Sequence, residues 1–217
     1  MSLDGQLKNA VLEELKWEPS VSEAHIGVTA KDGVISLSGY VDTYPEKAAA
    51  ERAVGRVKGV KAVAEELKIK LNLDFKRTDE EICAAAIDRL GWNVSVPKDA
   101  IKVKVQDGWV TLTGELAWNF QKNAVHDEIR WLSGVVGVSN LITIAPRVNT
   151  RDVSDSISHA LHRSWYFDPQ TVFVTAKAGA IKLTGTVHTW QERNVAAMTA
   201  WSAPGATQVE NDITVVS

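Results

Sequence analysis

Apolar residues along this chain follow two periodicities that take turns, and the whole sequence of turns occurs three times. Leu7, Val11, Leu12 and Leu15 lie at i, i+4, i+5 and i+8, one face of a helix. Ile82, Ala86, Ile87 and Leu90 repeat that face, and Val153, Ile157 and Leu161 repeat most of it. The period then drops to two. Ile26/Val28/Ala30, Ile101/Val103/Val105 and Val172/Val174/Ala176 alternate with polar residues, as half-buried strands do. Beyond Asp32-Gly33 and Asp107-Gly108 the alternation resumes with Ile35/Leu37 and Val110/Leu112. Asp-Gly between two such runs predicts a hairpin, because its tight turn needs positive φ. The third copy carries Ala178-Gly179 there, which leaves room for a different turn.

A second helix is expected next, from Ala50/Val54/Val57, Val125/Ile129/Leu132 and Ala196/Ala200/Ala203 at i, i+4 and i+7. A last strand carries Val63/Leu67/Ile69, Val138/Ile142/Ile144 and Val209/Ile213/Val215. The break in alternation after the first residue of each set points to a bulge or a bend.

Glycines keep the same register: Gly33/Gly39/Gly59, Gly108/Gly114/Gly134 and Gly179/Gly185/Gly205, with internal gaps of 6 and 20 residues and offsets of 75 and 71 between sets. Repetition at fixed spacing decides architecture before any motif does. The expected fold is α+β, three tandem α-β-β-α-β domains at 3–71, 78–146 and 149–217, each with two helices on a three-stranded mixed sheet. The nine glycines then serve as hairpin turn, end of the second strand and left-handed cap of the second helix. Leu73 and Phe75 predict a docked first linker at 72–77; the second, Ala145-Pro146-Arg147-Val148, is shorter and accounts for the change of period. Thr78-Asp79-Glu80-Glu81 has the form of a capping box.

Composition narrows the function. The 217 residues are 45% apolar, enough for three small cores. A net charge of −3 gives no basic footprint for nucleic acid. The single cysteine, Cys83, rules out an intrachain disulfide and any multi-cysteine metal site. No apolar run approaches the ~18–20 residues of a membrane span. Met1 to Gln6 has neither the basic segment nor the apolar stretch of a secretory leader. As written, the chain reads as soluble and cytoplasmic, or periplasmic if a leader has been removed.

Candidate chemistry is sparse. The glycines lack the spacing of a nucleotide loop. Asp155, His159 and His162 share a face of one helix, but their counterparts in the other copies include no histidine, so a solvated polar face is the simpler reading. His25, His126 and His188 are scattered, and no nucleophile stands with a histidine and a carboxylate. No catalytic residue, metal site or cofactor is expected. Glu13-Glu14 and Asp79-Glu80-Glu81 read as solvated helix faces, and Lys58, Lys61, Lys68, Lys70, Lys76 and Arg77 as a mild basic edge.

The eight tryptophans say more. Trp17 and Trp92 fall just after the first helix of two copies, and Trp118 and Trp190 stand where the second helix starts. A staple holding that helix to its sheet explains the latter pair, and an interfacial anchor is the alternative. Trp131 and Trp201 are the first choices for exposed anchors. They stand beside the repeated core positions Leu132 and Ala203, and the first copy has Arg56 and Gly55 in their places.

Asp32-Gly33-Val34-Ile35-Ser36-Leu37-Ser38-Gly39, its equivalents from Asp107 to Gly114 and from Gly179 to Gly185, and the later segments Gly59-Val60…Val63 and Gly134-Val135…Val138-Ser139-Asn140 resemble the BON domain, a bacterial module. The third copy departs with Gly205-Ala206 and keeps Val209-Glu210-Asn211. The resemblance covers nearly the whole chain. It implies a non-enzymatic protein tied to osmotic or envelope stress, in a family linked to phospholipid or membrane association, to potassium in one branch, and to secretins or channels. The leading expectation is a tandem stress-associated protein that binds a phospholipid surface or an envelope partner. The rivals are a cytoplasmic ligand or potassium-ion module and a protein-interaction scaffold.

Overall fold

The structure, a computed structural model, describes residues 2–145, 153–163 and 171–216. The first repeat runs α1 (Leu3–Trp17), β1 (Ile26–Lys31), β2 (Val34–Val41), α2 (Tyr44–Arg56) and β3 (Ala62–Ile69). The second runs α3 (Asp79–Trp92), β4 (Ile101–Gln106), β5 (Trp109–Leu116), α4 (Asn119–Arg130), β6 (Gly137–Asn140) and β7 (Thr143–Ile144). The third runs α5 (Val153–His162), β8 (Val172–Lys177), β9 (Ala180–Val187), α6 (Trp190–Trp201) and β10 (Gln208–Val215). The fold is α+β, an α-β-β-α-β unit made three times.

Each sheet is mixed, with the second strand in the middle. In the first repeat β1 runs antiparallel to β2 from Ile26↔Gly39 to Lys31↔Val34, as a tight hairpin requires. β3 runs parallel to β2 from Val34↔Ala62 to Val41↔Ile69, which needs the crossover that α2 provides. β8, β9 and β10 reproduce both registers. In the second repeat the last strand is split between β6 and β7, and β7 pairs parallel with β5 at Glu115↔Thr143.

One face of each sheet carries the core. Val11 and Leu15 of α1 and Ala50, Ala53 and Val54 of α2 are fully buried against Ile35 and Leu37. The alanines on α2 let the helix lie close to the sheet. Ile157, Leu161, Ala196 and Ala200 build the third core with Ile181 and Leu183. Ile82, Ala86 and Leu90 are buried as expected, but Ile87 is exposed, so the buried stripe of α3 is one position narrower than the pattern implied.

Five further expectations need correction. The last strand has no bulge in the first or third repeat: Val63, Leu67 and Ile69 keep one side of an unbroken ladder. The alternation only looks broken because the intervening inward residue, Glu65, is polar, and it is paired with Lys47 of α2 at 2.9 Å.

The third hairpin turns as the others do. Ala178 adopts φ 50° beside Gly179 at 86°, matching Asp32 (52°) with Gly33 (85°) and Asp107 (50°) with Gly108 (75°). Ladder register outweighs the poor fit of alanine to that backbone.

Gly39, Gly114 and Gly185 do not end their strands. Gly39 sits inside β2, bonded to β1 and β3 at once. Nor do Gly59, Gly134 and Gly205 cap helices directly. Each takes the third position of a turn just beyond the helix, closed by Val60 N–H to Val57 O (3.2 Å), Val135 to Leu132 (3.3 Å) and Ala206 to Ala203 (3.2 Å). Positive φ there is what such a turn requires.

The first linker is not docked through Leu73, which is 83% exposed; Phe75 is exposed as well. A single 3-10 turn satisfies its backbone locally, with Phe75 N–H donating to Asn72 O at 2.9 Å. Residues 146–148 of the second linker lie outside the described residues.

Candidate functional site

The sites chosen from sequence fall into two groups. Trp131, just past α4, is 59% exposed, and the Arg130 guanidinium lies 5.3 Å from its ring centre. Trp190, the first residue of α6, is 57% exposed with Arg193 at 5.4 Å. In both pairs the cation sits against a ring whose body remains in water. Trp201 differs: it is half-buried and packs on the core of the third repeat, so its choice as an exposed anchor is corrected. Trp118 is half-buried too, tilted against Phe120 at 6.4 Å between ring centres. Together with Phe120 and Met198, Trp118 and Trp201 line an open, mostly apolar cleft of about 670 Å³.

Trp17 and Trp92 are the most exposed tryptophans among the described residues, at 83% and 84%. Each is the last residue of its repeat's first helix, beyond the final buried leucine. The basic edge is also in solvent: Lys58, Lys61, Lys68, Lys70, Lys76 and Arg77 are all exposed.

Other candidates resolve into structural parts. Asp155, His159 and His162 are exposed on α5, and no cluster of three metal-ligating side chains occurs among the described residues. His25 stacks on Tyr40 at 4.3 Å. Cys83 is a half-buried free thiol. Glu14 is not merely solvated: with Glu18 it holds Arg56 of α2, each at 2.9 Å. Arg56, then Ser20, holds the Glu18 carboxyl below its usual range. The capping box forms, with Glu81 N–H donating to Thr78 Oγ1 at 3.2 Å and Thr78 N–H to Glu81 Oε2 at 2.7 Å. The Thr78 amide, then its hydroxyl, lowers the Glu81 pKa.

One repeated polar device has a sequence signal that helical and strand periodicity do not reveal. Lys47, Lys122 and Arg193 occupy the same place in the second helix of each repeat and donate to Leu67 O (2.9 Å) in β3, Ile142 O (2.7 Å) between β6 and β7, and Ile213 O (3.0 Å) in β10. Asn140 and Asn211 return the bond, donating to Lys122 O and Arg193 O at 3.0 Å each. Glu65 replaces that amide in the first repeat with an ion pair to Lys47. The bracket ties helix to sheet and so fixes where the second-helix tryptophans stand.

The family model for the BON domain matches three times, at residues 3–70, 78–146 and 149–217. The chain belongs to the BON family. Membership supports a binding module associated with stress or the envelope. A comparison with curated proteins found no match. Among solved structures, CdsD, a structural protein of the type III secretion system of Chlamydia trachomatis, is similar over 97% of this chain and 92% of its own, at 16% identity and a TM-score of 0.28. The C-terminal domain of the same protein covers 100% of both chains at 16% identity and a TM-score of 0.26. Neither likeness bears on what these BON domains bind. No helix among the described residues is long and apolar enough to cross a membrane.

Proposed function

We propose that this chain is a non-enzymatic, stress-associated protein whose BON domains bind a phospholipid surface or an envelope-associated partner through exposed tryptophans. The carrying observation is that Trp131 and Trp190 each keep more than half of their surface in water while backed by an arginine. An exposed indole, apolar in its body and polar at its N–H, suits the boundary between headgroups and acyl chains. Burying roughly 100 Å² of indole surface is worth about 2.5 kcal/mol. The exposed lysines near the first linker add charge of the right sign, on the order of 1 kcal/mol for each that reaches an anionic surface.

Flotation with vesicles of phosphatidylglycerol and phosphatidylcholine, set beside phosphatidylcholine alone, tests the reading. The wild type floats with the anionic vesicles, and a Trp131→Ala/Trp190→Ala double variant floats several-fold less. Equal flotation of wild type and variant removes the tryptophans from the function. A melting shift on potassium titration, with no flotation, would move the reading to an ion-binding module.

A further inference from the structure

A third kind of tryptophan lies away from both helices. Trp109 opens β5 on the face of the second sheet opposite the helices, and 50% of it is exposed. Its Nε1–H donates to Ser139 Oγ at 2.9 Å. A Cβ placed on Gly137 would meet three successive carbons of its six-membered ring at 2.5, 2.5 and 2.8 Å. Near-equal distances to three neighbouring ring atoms put the ring's face, not its edge, over the Gly137 backbone. The indole is therefore laid flat on the sheet, its one polar atom engaged, its other face turned outward.

The arrangement is peculiar to this repeat and involves three residues at once. At the places of Trp109, Gly137 and Ser139 the first repeat has Val34, Ala62 and Ala64, and the third has Ala180, Gln208 and Glu210. Both of those repeats form the same sheet without a platform, so the fold does not require it. Beside the ring, Lys104, Gln106, Asp107 and Thr111 border an open groove of about 380 Å³.

We propose that this platform binds the pyranose ring of a neutral saccharide. An aromatic face carries negative quadrupole density, and the aliphatic C–H face of a sugar presents weakly positive hydrogens to it. The side chains around the ring offer both donors and acceptors, as a ring of hydroxyl groups needs. Their charges cancel, Lys104 against Asp107, on a chain of net charge −3. A nucleobase would stack as well, but a strand of nucleic acid needs a positive track for its phosphates, and this border supplies none. The inference is independent of the tryptophans at the second helices.

The test uses the full chain with cellohexaose, maltohexaose and chitohexaose, read by calorimetry and by the indole N–H resonances. At least one of the three binds saturably and shifts the Trp109 indole signal. Trp109→Ala then weakens that binding roughly tenfold or more, which corresponds to about 1.4 kcal/mol. Ser139→Ala weakens it less, by freeing the ring to tilt, and carries the comparison if Trp109→Ala melts far earlier than the wild type. Absence of binding to all three sugars overturns the proposal. So does binding that both variants leave unchanged, or binding of hexathymidylate that depends on Trp109.

Discussion

A side chain on Gly39 would collide with the carbonyl oxygen of His25 across the hairpin, so these two residues meet only because one of them has no Cβ. The same relation joins Gly114 to Ala100 and Gly185 to Thr171. With φ of 113° at Gly39, any replacement is strained twice, by backbone conformation and by contact. Gly39→Ala is expected to cost the first repeat about 1–3 kcal/mol. Urea melts of the full chain check this; an unchanged transition for the corresponding variants of all three repeats would show that the ladder can part there freely.

Ala178 holds a left-handed conformation that its counterparts Asp32 and Asp107 tolerate better. Ala178→Gly is expected to stabilise the third repeat by about 1 kcal/mol, through relief of the Cβ clash with the backbone. Slower hydrogen exchange at the amides of β9 reports the gain. Ala178→Val is expected to move exchange in the opposite direction.

Trp131 and Trp201 are expected to part company on substitution. Trp131→Ala leaves the melting temperature close to that of the wild type, because the ring lies in water. Trp201→Ala removes a ring packed on the third core and is expected to cost about 1–3 kcal/mol, less than full burial would imply. Equal melting of the two variants would contradict the difference in their packing.

Stability is expected to fall in acid through Glu18 and Glu81. Both carboxyls titrate below their ordinary range in the folded chain, Glu18 through Arg56 and Glu81 through the Thr78 amide. A carboxylate whose folded pKa lies below its unfolded one contributes fully above the unfolded value, and that contribution disappears as pH falls through the folded value. Melting temperature recorded from neutral to acid pH shows the decline. In Glu81→Gln the decline is smaller, and the loss at neutral pH is correspondingly present from the start. Identical acid profiles for variant and wild type would remove Glu81 from the effect.

The sequence by itself determined the repeat, the element types and most of the cores. Those features are periodic: Val11 and Leu15, or Ile157 and Leu161, declare a helix face by spacing alone, and Asp32-Gly33 declares its turn. What it could not show depends on residues distant in the chain. Glu65 looked like a break in a strand because the pattern does not reveal that Lys47 faces it. Leu73 looked like a docking residue because an apolar type alone does not say whether a surface meets it.

The tryptophans show the same limit most plainly. Trp131, Trp190 and Trp201 share a residue type and stand at the ends of second helices, yet two remain largely in water and one packs half-buried against a core. Trp109 was legible only as part of a glycine-rich strand. Its flat seat on Gly137 and its bond to Ser139 join residues about 30 positions apart, which only the pairing of β5 with β6 brings together. Periodicity is a local property and survives in the sequence; exposure and juxtaposition are set by what the folded chain places opposite each residue, and tertiary structure alone decides them.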